Sequence, residues 1–199
     1  MNETGIKQKK AIRIPKMLQE LFGFEITKTE LLLILLSCLV LSALLLAAAY
    51  DEWRSLELWR QVLLIVLTLD ICGGVIANFS HSTNSYYAGN AKARLVFILL
   101  HVQPLLIAFL LDGSFMLSLA VTVYTMAAGL IANSLAGHRL QRMAGALLMV
   151  LGLTVFLVTL SYATSGAPLL LKALLSFHLF KVVYAFAVDH YAERNYNLV

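Results

Sequence analysis

Charge is what this chain has least of. Charged side chains make up 13% of its 199 residues, where a soluble domain carries roughly a quarter. Hydrophobic residues reach 60% and the mean hydropathy is +0.83. This balance excludes an ordinary soluble domain, and no polar stretch exceeds about 30 residues, too short for a separate core. Cysteine is also scarce. Cys38 and Cys72 both fall inside apolar runs, where a thiol is a small packing group, so no disulfide framework or redox compartment follows. Several catalytic signatures are missing too: there is no P-loop, Rossmann glycine pattern, H-E-x-x-H, C-x-x-C or G-x-S-x-G. A nucleotide-driven mechanism is therefore not expected.

What is present is a series of long apolar runs. A bilayer core takes about 20 apolar residues per helix, and six runs qualify: Glu30–Tyr50, Leu58–Asn78, Arg94–Asp112, Phe115–Leu135, Leu140–Tyr162 and Pro168–Tyr191. The fold class expected is all-α, a polytopic transmembrane bundle of six spans over residues 30–191. A basic leader (1–29) precedes it and a short tail (192–199) follows. Met17, Leu18, Leu21 and Phe22 predict an amphipathic helix in the leader, lying at the membrane interface. Asp112-Gly113-Ser114 reads as a tight turn, and Pro168 suits a helix start.

The net charge of +4 is a topology signal and does not point to nucleic acid. With the N-terminus inside, the inner segments hold Lys7, Lys9, Lys10, Arg13, Lys16, Lys28, Lys92, Arg94, Arg139, Arg142 and Arg194. The outer loops hold only Arg54 and Arg60. This bias predicts cytoplasmic termini in a cell membrane, with Arg139 and Arg142 as topology determinants. The words Gly74–Asn78 (G-V-I-A-N) and Gly129–Asn133 (G-L-I-A-N) hint at a parallel repeat.

Ionisable groups inside spans cost about 2.5–3.5 kcal/mol each on insertion scales and are functional suspects by default. At ~1.5 Å per residue, Asp70 lies about 12 Å, His101 about 10 Å and His178 about 16 Å from the inner end of its span. Lys181 lies one turn nearer the cytoplasm. Asp70, His101, His178 and Lys181 are thus the candidate catalytic set. The carboxylate and two histidines are candidate ligands for a divalent metal such as zinc, which would activate water. If the second span continued past Asn78, Asp70 and His81 would share a face. Asn78, His81, Asn84, Tyr87, Arg94 and Asn133 then form a polar mouth suited to substrate.

Structural readings stand beside these. Asp70 can pair with Lys181 to fix helix register, His101 can bond a carbonyl freed near Pro104, and His178 can be a core histidine. The bilayer is the expected partner, together with a lipid or small-molecule substrate. Four functions fit: an intramembrane hydrolase or transferase on a lipid-type substrate, a proton-coupled small-solute carrier, a haem-binding electron carrier with His101 and His178 as axial ligands, and a non-catalytic assembly or scaffold subunit.

Overall fold

The computed structural model describes residues 11–163 and 166–192. Lys7, Lys9 and Lys10 of the leader, and the tail from residue 193 with Arg194, lie outside them. Six helices are long and apolar enough to cross a membrane: Lys28–Ala48, Leu58–Ala77, Ala91–Leu110, Phe115–Ser134, Gln141–Tyr162 and Leu169–Phe186. The expected helical bundle is therefore present, and it is that of a multi-pass membrane protein.

The leader departs from expectation. Strand β1 (Ala11–Arg13) pairs antiparallel with β2 (Glu25–Thr27), Ile12 facing Ile26. Between them, helix α1 (Gln19–Phe22) is a single turn. Pro15, at φ −56° and ψ 146°, keeps the chain extended where the strand ends, and Gly23 terminates α1 at φ +72°. That left-handed turn brings position 23 onto the backbone of Ser82; a Cβ there would lie 2.2 Å from its carbonyl oxygen. Ile14 and Ile26 pack with Ile34 and Ala77, with Phe22 against them, whereas Met17, Leu18 and Leu21 stay exposed. The short ribbon wins over a longer amphipathic helix because it can pair its backbone and bury two isoleucines at once.

Helix α2 (Lys28–Ala48) starts before Glu30 because Thr27 and Glu30 form a reciprocal capping box. It is peripheral, with 11% of its spanning window buried. Helix α3 (Tyr50–Trp53) leads to α4 (Leu58–Ala77), and a new helix, α5 (His81–Ala88), begins after the Ser80 cap. Asp70 and His81 thus lie on different helices, and the expected continuous stripe is absent.

The third span is broken. Helix α6 (Ala91–Leu100) ends at His101, and α7 (Gln103–Leu110) restarts after Val102 with Pro104 in its first turn. Helices α8 (Phe115–Ser134) and α9 (Gln141–Ala163) follow, then α10 (Leu169–Phe180), which continues as a π-helical segment, Lys181–Phe186.

The last span is the axis of the bundle, with 61% of its window buried. Gly74 of α4 and Gly129 of α8 meet successive residues on it: a Cβ at Gly74 would sit 2.4 Å from Lys181 Cε, and one at Gly129 3.6 Å from Val182 Cγ1. The two similar words thus pack against one segment from two sides. Small residues allow this close approach. At the opposite end of the bundle from the ribbon, Arg60 pairs with Asp112 at 2.8 Å, and the Glu52 carboxylate accepts from the Leu169 and Leu170 amides at 2.6 and 2.8 Å. Asp112 takes φ +48°, consistent with the expected turn.

Candidate functional site

Two polar regions stand out. The first lies inside the bundle. Lys181 Nζ donates to Asp70 Oδ2 at 2.6 Å, and Gln103 Nε2 donates to the same oxygen. The other end of the Gln103 amide, Oε1, lies 3.3 Å from His178 Nδ1. Because Gln103 spends its nitrogen on a carboxylate, its oxygen must accept. His178 therefore carries its proton on Nδ1, and its buried Nε2 has no partner among the described residues.

The sequence-predicted quartet is thus only partly joined. Asp70 and Lys181 pair directly, and His178 is connected through Gln103, which periodicity did not single out. His101 lies beside them, its ring centroid 5.9 Å from that of His178, but its Nδ1 faces the carbonyl of Phe97, one turn back, and its ring contacts the Phe97 ring with centroids 3.8 Å apart. The freed carbonyl belongs to Phe97 because α6 has ended, so the imidazole replaces the missing backbone amide.

The expected zinc site does not fit. Among the described residues no three His, Cys, Asp or Glu side chains gather to hold a metal ion. Asp70 Oδ2 is taken by an ammonium and an amide, and His101 Nδ1 is turned to a carbonyl. As they stand, Asp70, His101 and His178 do not converge on a common point as three metal ligands.

Exposure within the pair is uneven: the Lys181 side chain is 3% exposed and that of Asp70 37%. The carboxylate can be approached and the ammonium cannot. Gly74 makes room for the lysine. We expect Gly74→Ala to press its methyl onto Lys181, costing about 1–3 kcal/mol as overpacking and loosening the pair. Thermal melting of the purified variant checks this; an unchanged midpoint would mean that the lysine has another place to go.

The second region closes the end of the bundle that carries the ribbon. In the π segment the Ala187 amide reaches back to Val182 O, at 3.1 Å, which leaves the carbonyls beyond it to be satisfied by other elements. Arg94 Nη2 and Gln141 Nε2 both donate to Ala187 O at 3.0 Å, and Asn84 Nδ2 donates to Val188 O at 3.1 Å. Arg142 donates to the Asp189 and His190 carbonyls, so beyond any topological role it caps the segment that follows the last span. Burial pushes the Tyr87 phenol up and the His190 imidazole down from their usual values, which favours the neutral form of each.

Beside these contacts is a cavity of about 580 Å³, lined by His81, Asn84, Ser85, Arg94, Asp189 and Tyr191 among others. Three of the six expected substrate residues (His81, Asn84 and Arg94) meet there. The other three do not line it. Tyr87 is a core residue whose hydroxyl donates to Glu20 O, and Asn78 is buried with its Nδ2 unpartnered among the described residues. Asn133 lies half-buried at the end of α8. Gln103, Gln141 and Asp189 escaped sequence reasoning as working residues. For the first, a glutamine beside proline inside an apolar run was the available signal.

No family model, curated protein or solved structure matches this chain. The functional reading therefore rests on geometry.

Proposed function

We propose that this multi-pass membrane protein is a proton-coupled carrier of a small solute. The observation that carries the reading is the Asp70–Lys181 pair at the junction of two helix irregularities. It lies where the third span is interrupted and where the last span passes into its π-helical segment. Interrupted spans that place a helix N-terminus and side chains around an ion or substrate are a recurring carrier device, and π segments concentrate at functional sites.

Protonation of Asp70 removes the charge that accepts from both Lys181 and Gln103. Since Gln103 also meets His178, one proton weakens the hold of α4 on both α7 and the last span. That is the coupling a carrier requires, a local charge change that alters helix packing. Hydrolysis or group transfer is less well supported, because a substrate would have to meet Asp70, His101, His178 or Lys181. Five of the cavities in the described part of the chain are lined by none of the four.

The test is flux. Proteoliposomes loaded with a pH-sensitive dye are given gradients of phosphoesters, amino acids and sugars in turn. At least one gradient should move protons, and Asp70→Asn should abolish that movement while the protein still inserts. Absence of proton movement with every solute, or its survival in Asp70→Asn, would overturn the carrier reading.

A further inference from the structure

The cavity at the polar end contains an electrostatic imbalance. Arg94 is 6% exposed, yet among the described residues it has no ion pair; its guanidinium donates to one carbonyl, and its Nε has no partner. A buried cation satisfied only in part is costly unless an anion joins it. Its position adds to the cost. Arg94 and Lys92 stand in the first turn of α6, where the helix dipole is positive and where the chain supplies no acidic residue. Helix stability does not explain two cations at that point, whereas an anion bound there would be favoured by both the cations and the dipole.

Asn84 shows the converse need. It is 7% exposed, and its Nδ2 is committed to the Val188 carbonyl, which fixes the amide orientation; among the described residues its Oδ1 has no partner. Asp189 lines the same cavity. The Asp189 carboxylate acts on Arg94 electrostatically but, among the described residues, forms no ion pair with it, so Arg94 Nε is left without an acceptor and Asn84 Oδ1 without a donor. At about 580 Å³ the space exceeds the needs of a simple ion and lies within the range of small-molecule pockets. It is lined by residues at or beyond the ends of the spans, among them His81, Arg94, Gly137 and Asp189.

We propose that this cavity binds a phosphate ester carrying an amine or hydroxyl donor, with the phosphate on Arg94 and the donor on Asn84 and Asp189. The same chemistry is offered by a lipid headgroup and by the free headgroup in water. Binding at equilibrium does not depend on the carrier reading. A protein that binds such a ligand without moving protons would lose that reading and keep this one.

The experiment is calorimetric titration of the detergent-purified full chain with phosphoethanolamine, inorganic phosphate and phosphocholine. Phosphoethanolamine should bind at least tenfold more tightly than phosphate, which lacks the amine, and than phosphocholine, whose quaternary nitrogen has no hydrogen to donate. Arg94→Gln should weaken binding at least tenfold. Because Arg94 also caps the last span, Ala88→Trp is the second variant. Ala88 lines the cavity and is exposed, so the indole should fill the space, leave melting unchanged and weaken binding at least tenfold. Nanodiscs of phosphatidylethanolamine, compared with phosphatidylcholine, assign the source. Competition with free phosphoethanolamine identifies the lipid headgroup and its absence identifies the soluble ester, and either agrees with the proposal. No binding of any probe, equal binding of phosphate and phosphoethanolamine, or undiminished binding in Ala88→Trp overturns it.

Discussion

Asp70→Leu should lower stability by about 3 kcal/mol, and adding Lys181→Met should restore most of it. Removing one partner of a buried pair costs about 3–5 kcal/mol because the other charge is left uncompensated. Here the stranded group is Lys181, 3% exposed and inside a span. Asp70 is less buried than Lys181, so the lower end of that range applies. In the double variant no charge remains to be desolvated, and packing of leucine against methionine replaces the pair at little net cost. For a chain of this size, 3 kcal/mol corresponds to a fall of roughly 6–12 °C in melting temperature.

The pair of measurements separates two roles. If the ion pair only fixes helix register, the double variant recovers both stability and any proton movement in liposomes. If it is the charge switch of a carrier, stability returns and proton movement does not. A single variant as stable as the parent protein would show that Lys181 does not depend on Asp70.

Gln141→Leu should be the second large effect, a loss of about 2–4 kcal/mol. Leucine keeps the approximate volume at this buried position, so the loss is one of hydrogen bonds. Gln141 Nε2 donates to Ala132 O at 3.1 Å and to Ala187 O at 3.0 Å, while its Oε1 accepts from the Asp189 amide at 3.2 Å. One amide joins the start of α9 to the end of α8 and to the chain beyond the π segment. A buried backbone group stripped of its partner costs about 1–3 kcal/mol, and Ala187 O would retain Arg94. Hydrogen exchange should rise first at the amides of residues 187–190. Arg139→Gln, at an exposed position on the same turn, serves as the control and should change neither melting nor exchange. Equal exchange in Gln141→Leu and the parent protein would remove Gln141 from the cap.

The helical bundle was legible because its signal is compositional. Runs such as 30–50 or 140–162 have few polar groups with which to do anything but span, and their ends lay within a few residues of the observed helices. Asp70 and Lys181 were legible for the same reason, as charges in hydrocarbon that need a partner. Gln103 was not, because a single neutral amide does not disturb hydropathy, and its importance comes from the break at His101–Val102. Arg142 looked like a topology signal, yet it also captures carbonyls of the segment that follows the last span.

The sequence by itself determined the number of spans, the tight turn at Asp112–Ser114 and which charges stand in apolar surroundings. Periodicity and composition act locally, and each of these properties can be read within one segment. Only the tertiary structure decided that the last span is the axis, that Asp70 meets Lys181 and Gln103 in place of a metal, and that Arg94 and Asn84 share a cavity with unmet hydrogen bonds. Those outcomes turn on where helices stop. An interrupted third span and a π-helical turn rotate side chains and release carbonyls by amounts that depend on neighbours far away in sequence.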